Sequence, residues 1–141
     1  MIDITEKKFA ERTAKASGKI ILKEETIEKI LKKEIKKGDV FETAKIAGIN
    51  AVKQTPLLTP YCHQIPIEFT DFKFETGKNE ITVFCTVKSV SKTGVEMEAL
   101  NGVIIALSNI WDMVKYLEKD EKGQYPTTRI EDIKVIEKVK K

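Results

Sequence analysis

The sequence predicts an α+β fold in which a ferredoxin-like antiparallel sheet carries helices packed on one face. Three observations predict it. Apolar residues from Val95 to Leu117 recur every three or four positions, the period of a helix. Glu80–Ser89 alternates with period two, as a half-buried strand does. Such segments follow one another as strand, helix, strand, strand, helix, strand, the order of the ferredoxin-like unit. An N-terminal extended hairpin is expected in front of it. At 141 residues the chain is long enough for one core and too short for two, so residues 1–141 are expected to form a single domain.

Each element has a local reason. Ile2–Thr5 and Phe9–Leu22 read as extended, with Ser17-Gly18 as a turn. Glu25–Lys36 is amphipathic, with Ile27, Ile30, Leu31 and Ile35 on one side and Gly38 as its stop. A shorter helix from Asp39 turns Val40, Ala44 and Ala47 inward before Gly48, and a third helical piece continues to Gln54. Pro56 and Pro60 then interrupt regular structure, because proline lacks an amide donor and pushes the residue before it away from helix. Ile67–Thr76 and Glu80–Ser89 are strands joined at Gly77-Lys78-Asn79. In the second strand Ile81, Val83, Cys85 and Val87 face one way and Thr82, Thr86 and Lys88 the other. Thr93 and Glu96 stand at capping-box spacing before the long helix. A polar insert, Asp120–Pro126, leads to a last strand, Arg129–Lys138.

Composition narrows the class. Hydrophobic residues at 41% and charged residues at 33% suit a water-exposed globular domain. No uninterrupted apolar span is long enough for a membrane helix, and the opening Met1-Ile2-Asp3 begins no signal peptide, so a cytoplasmic location is expected. A net charge of +3, carried by lysines interleaved with glutamates, is too mild to indicate nucleic acid. Cys62 and Cys85 form no disulfide framework in such a setting, and Cys85 falls where a small buried hydrophobe belongs. With adjacent Cys62 and His63, one histidine in all and no CxxC, no metal site is expected.

Several residues nevertheless carry chemistry. His63, in a proline-bracketed loop before a strand, has the one side chain that ordinarily titrates near neutrality, although a lone histidine is more often structural. Arg12 and Arg129 are the only arginines in a lysine-rich chain. Each marks either a place where a planar fork is needed or an ordinary surface charge. Asp112 and Lys115 stand at i, i+3, where an ion pair forms on any helix surface. Lys37 and Lys53, by spacing alone, are solvated lysines. Glu96 is equally a capping residue, and a carboxylate at Glu98 is favoured by the helix dipole in any case. Two helical residues turn these two glutamates by about 200°, so they are expected to face different partners. Gly38 and Gly48 fit no phosphate loop, so a bound triphosphate has to be held by side-chain cations.

The strings Lys92-Thr93-Gly94-Val95-Glu96-Met97-Glu98-Ala99-Leu100, Pro60-Tyr61-Cys62-His63, Lys37-Gly38-Asp39-Val40, Ala47–Lys53 and Trp111-Asp112-Met113-Val114-Lys115 resemble, in order, the motifs of the MoaC family. Ile2–Lys7 and Arg12–Gly18 resemble the family's start. The resemblance implies a cyclic pyranopterin monophosphate synthase of molybdenum-cofactor biosynthesis. Its substrate is a cyclised dihydro-GTP made by a radical enzyme, and it rebuilds this into a pyranopterin with a cyclic phosphate as diphosphate leaves. It further implies no redox cofactor and a homo-oligomer, a hexamer built as a trimer of dimers with sites at the dimer interface. A transient contact with the upstream enzyme is also implied.

Carried over position by position, the resemblance makes Lys37, Asp112 and Lys115 catalytic. It makes Arg12, Lys53, Cys62, His63, Glu96, Met97, Glu98 and Lys138 substrate-binding. Lys37 and Lys115 would transfer protons and activate substrate, and Arg12 and His63 would hold phosphate. Glu96, Glu98 and Asp112 would engage the purine-derived ring or a lysine. Two departures stand out. Gln64-Ile65 follows His63 where the family has Pro-Leu, and the Gly- and Ser-rich basic tail is missing. A non-catalytic nucleotide-binding or regulatory module is the alternative, since fold alone fixes no function. An RNA-binding domain is disfavoured by strands without aromatic base-stacking positions.

Overall fold

The computed structural model describes Met1–Lys141. Its elements are β1 (Ala10–Ile21), α1 (Glu24–Leu31), α2 (Val40–Lys53), α3 (Thr55–Leu58), β2 (Phe69–Thr76), β3 (Glu80–Ser91), α4 (Glu96–Glu118) and β4 (Arg129–Lys140). The four strands form one antiparallel sheet in the order β2-β3-β1-β4, which is the ferredoxin-like arrangement. The helices cover one face. Ala14, Ala16 and Ile20 of β1 and Ile81, Val83, Cys85 and Val87 of β3 join Ala99, Val103, Ala106, Leu107 and Ile110 of α4 in a fully buried cluster. No helix is long and apolar enough to cross a membrane.

The expected N-terminal hairpin does not form. Ser17 and Gly18 lie inside an unbroken β1, paired with Phe84 and Val83. Gly18 is there for clearance: a Cβ would sit 2.9 Å from side-chain carbons of both Leu107 and Val103. A glycine within a strand marks close approach as readily as a turn. Gly48 has the same explanation in α2, which runs straight through it. A Cβ there would lie 2.5 Å from the Phe72 ring, so glycine lets α2 settle between β2 and α4.

α1 stops at Leu31, where Lys33 takes φ 58°, and Leu31 is left exposed instead of facing the core. Asp39 caps α2 by accepting from the Glu42 N–H at 3.0 Å. α4 starts without a capping box: Val95 is its N-cap, and no side chain caps it. The Thr93 carbonyl instead accepts from Ser91 Oγ at 2.8 Å.

The far end of α4 is tied down by a buried carboxylate. Glu118 is fully buried and accepts from Thr26 Oγ1 at 2.5 Å, Thr128 Oγ1 at 2.7 Å and the Lys23 N–H at 3.2 Å. α1, α4 and the start of β4 thus meet at one side chain. β4 is an edge strand whose pairing with β1 shifts register between Lys15 and Ala16 and again between Ser17 and Lys19. Asp132, beside the second shift, has φ 57°.

Candidate active site

α4 carries a cluster of chemically active groups at each end. At its N-terminal end lies a cleft of about 610 Å³. One wall is the loop after α3. Asn101 Nδ2 on α4 donates to Thr59 Oγ1 at 3.0 Å, and Ser89 Oγ on β3 donates to the Pro66 carbonyl at 2.5 Å. These bonds hold Tyr61, Cys62 and His63 against the cleft. The opposite wall is the N-terminal segment, from which Met1, Ile2, Ile4 and Lys7 face the cavity. That segment is folded on itself, since Asp3 Oδ1 accepts from the Thr5 N–H at 2.8 Å and from Thr5 Oγ1 at 2.6 Å. It is pinned by Lys92 Nζ on the Thr5 carbonyl at 3.0 Å and by His63 Nε2 on the Ile2 carbonyl at 2.7 Å. A carbonyl only accepts, so His63 carries a proton on Nε2.

Glu96, Met97 and Glu98 form the floor. The two glutamates share the cleft even though helix geometry turns them apart, because the first turn of α4 ends in it and both sides of that turn border it. Glu98 is only 3% exposed. Burial, reinforced by the nearby Glu96 charge and opposed by its own backbone N–H, pushes its carboxyl up to about 7. Burial also acts upward on Glu96, but its own backbone N–H, Lys138 and Arg12 outweigh it and hold that carboxyl below its ordinary value. Lys138 of β4 reaches Glu96 Oε1 at 3.1 Å. Burial raises the Cys62 thiol, and the charges of Glu98 and Glu96 add to this. Glu96 Oε2 and Arg12 Nε are buried without a hydrogen-bond partner, two open valences of opposite sign. Arg12 is otherwise held by the Lys92 carbonyl at 3.4 Å.

The second cluster lies at the C-terminal half of α4. Asp112 receives Lys115 Nζ on Oδ1 at 2.9 Å and Lys37 Nζ on Oδ2 at 3.0 Å. Lys37 comes from the loop between α1 and α2 and also donates to the Asp112 carbonyl at 3.0 Å. Hydrogen bonds from Lys115 and then Lys37 lower the Asp112 carboxyl, and Asp112 in turn raises the Lys115 amine. One carboxylate thus gathers two ammonium groups.

The structure therefore brings Cys62, His63, Glu96, Met97 and Glu98 together, with Arg12 and Lys138 beside them. Lys37, Asp112 and Lys115 are gathered separately. Lys53 joins neither cluster: it is exposed at the end of α2, lining a shallow hollow with Gln54, Pro56 and Gln64. The cleft-lining role of Ile2, Ile4 and Lys7 was not anticipated, although the Asp3-x-Thr5 spacing is the signature of the turn that positions them.

The chain matches the MoaC family over residues 1–140 and belongs to it. A protein of Methanococcoides burtonii is 57% identical over 140 residues, covering 99% of this chain and 88% of its own. One from Archaeoglobus fulgidus is 56% identical (99% and 90%), and one from Thermoplasma acidophilum is 53% identical (99% and 98%). Each is named a probable cyclic pyranopterin monophosphate synthase.

Proposed function

We propose that this chain is a cyclic pyranopterin monophosphate synthase of molybdenum-cofactor biosynthesis, a lyase that acts as one domain. It takes a cyclised dihydro-GTP, rebuilds its ring system into a pyranopterin and closes a cyclic phosphate with loss of diphosphate. The observation that carries this reading is the whole-chain family match to relatives of that name. The two clusters of acids and cations support it, because a bare nucleotide binder does not require acids and lysines together.

Each cluster has a part. Lys115, which Asp112 keeps as an ammonium, enters the reaction as a proton donor. Lys37, an ammonium on the same carboxylate, is placed to give up its proton first and to take one back in a later step. Arg12 Nε and Glu96 Oε2 are preorganised for ligand atoms, the first for a phosphate oxygen and the second for a ring N–H. Glu98, protonated in part at neutral pH, donates to a ring carbonyl where Glu96 can only accept. His63 meets phosphate by donating its Nε2 proton once the N-terminal segment moves aside. Cys62 and Met97 line the ring, and Lys138 neutralises Glu96. Lys53 stands apart from both clusters of its own chain and reaches substrate only through a partner.

Glu98 and Asp112 are fourteen residues apart on the uninterrupted α4, about 21 Å along its axis. We assign each site one helix end from each of two symmetry-related subunits, within a homohexamer made of three such dimers. The direct test is incubation with the cyclised dihydro-GTP. Cyclic phosphate product and diphosphate in equal amounts are expected, and saturable binding without turnover would instead favour a nucleotide-binding module.

A further inference from the structure

The loop that joins α4 to β4 is built around Asp120. Its Oδ1 accepts from the N–H groups of Lys122 and Gln124, both at 2.9 Å, and its own N–H donates to the Gln124 carbonyl at 2.9 Å. Gly123, at φ 75°, donates to the Asp120 carbonyl at 3.0 Å. The far end of the loop is fastened by Thr128 to the buried Glu118. This closed turn delivers Tyr125, half-buried, edge-on to Trp111, with ring centroids 5.1 Å apart and planes at 71°. Edge-to-face contact at that distance is the favoured geometry of an aromatic pair.

Trp111 directly precedes Asp112 and stands four residues before Lys115, so Trp111 and Lys115 share a face of α4. The Tyr125 ring, packed on Trp111, thus lies on the side of α4 that carries Lys115. Asp112 is exposed and secures only the tip of a side chain with a flexible four-carbon stem. Something else has to restrict that stem if the amine is to hold one position.

We propose that Tyr125 is a positioning residue of the Lys37–Asp112–Lys115 cluster: its ring, seated against Trp111, walls the Lys115 stem and keeps the amine on Asp112. The inference rests on the function proposed above, in which Lys115 delivers a proton. A reacting group misplaced by ~1 Å loses on the order of a hundredfold in rate, so a wall of this kind acts on turnover more than on binding.

Three variants test it. Tyr125→Phe keeps the ring, Tyr125→Ala removes it, and Tyr125→Leu keeps apolar packing for the loop without a flat ring. Tyr125→Phe is expected to match the wild type. The other two should lose about tenfold or more in kcat with little change in KM. Acetylation by acetic anhydride, followed residue by residue by mass spectrometry, supplies a readout that needs no substrate. Lys115 should react severalfold faster in Tyr125→Ala and Tyr125→Leu, with Lys53 unchanged as reference. Equal Lys115 reactivity in all four proteins would overturn the positioning role whatever the turnover. The expected reactivity contrast in a wild type that turns nothing over would uphold the wall and sink the proposed function.

Discussion

Glu96 and Glu98, two residues apart in the first turn of α4, border one cleft with opposite acidities. Lys138 and Arg12 help to keep the first ionised, whereas burial pushes the second up to about 7. A pair split this way offers a ligand both an acceptor and a donor at neutral pH, which two equivalent carboxylates cannot do.

The split has a consequence for stability. The folded chain holds the Glu98 proton more tightly than the unfolded chain does. Its contribution to folding is therefore complete below the ordinary carboxyl range and is lost as pH rises through about 7. Glu98→Gln has no proton to lose. Urea midpoints of the two proteins should agree near pH ~4 and diverge by pH ~8, with the variant more stable by up to about 3 kcal/mol. A constant difference across that range would show that Glu98 does not titrate in a buried site.

For Glu96 the expected signature is the reverse. With no capping box to lose, Glu96→Gln should leave the melting temperature almost unchanged while turnover falls steeply. Lys138→Ala, which removes the partner of Glu96, should lower turnover in the same direction. Full activity in Glu96→Gln would reduce Glu96 to a neighbour of the cleft.

Lys37→Ala and Lys115→Ala should each abolish product formation. Their ion pairs with Asp112 are exposed, so thermal unfolding of both variants should track the wild type. Near-normal product from either variant would remove that lysine from the reaction.

Subunit mixing tests the shared site. If each site draws on the cleft of one subunit and the lysine cluster of the other, a Glu98→Ala chain paired with a Lys115→Ala chain leaves one site doubly damaged and one intact. Coexpression of the two inactive variants should restore activity. Verified mixed dimers as inactive as either parent would exclude the shared arrangement.

Glu118 gives the structural counterpart. Glu118→Ala leaves the hydroxyls of Thr26 and Thr128 and the Lys23 N–H without their acceptor in a buried position. A loss of about 3 kcal/mol or more is expected by chemical denaturation. A loss below 1 kcal/mol would mean that water takes the place of the carboxylate.

The fold was legible where the period of the side chains reported burial. The inward stripe of β3 and that of α4 are the two sides of one core, and both can be read from spacing alone. The reading failed at Ser17-Gly18 because a glycine that makes room for Leu107 and Val103 looks, in one dimension, like a glycine that turns the chain. It failed at Thr93 for a related reason: capping-box spacing was present, but α4 begins only after Val95.

Motif residues located most of the candidate site, since Glu96, Glu98 and Asp112 all lie on a helix that periodicity makes visible. What spacing could not supply was contact between distant segments. Examples are the Ile2 carbonyl on His63, Lys138 on Glu96 and Tyr125 on Trp111. Each depends on how loops close, and none leaves a periodic trace.

The register shifts of β4 bear on a hazard shared by every open sheet. An edge strand is a template on which another molecule's strand can grow, and β4 shows Ile133, Val135, Ile136 and Val139 at its surface. Where the ladder slips near Asp132 and again near Ile136, the free edge is cut into runs too short to recruit a stranger, and lysines alternate among the apolar positions. The same strand that carries Lys138 to the cleft is thereby shielded from fibrous growth. Straightening β4 by deleting one bulge residue would trade solubility for a cleaner ladder.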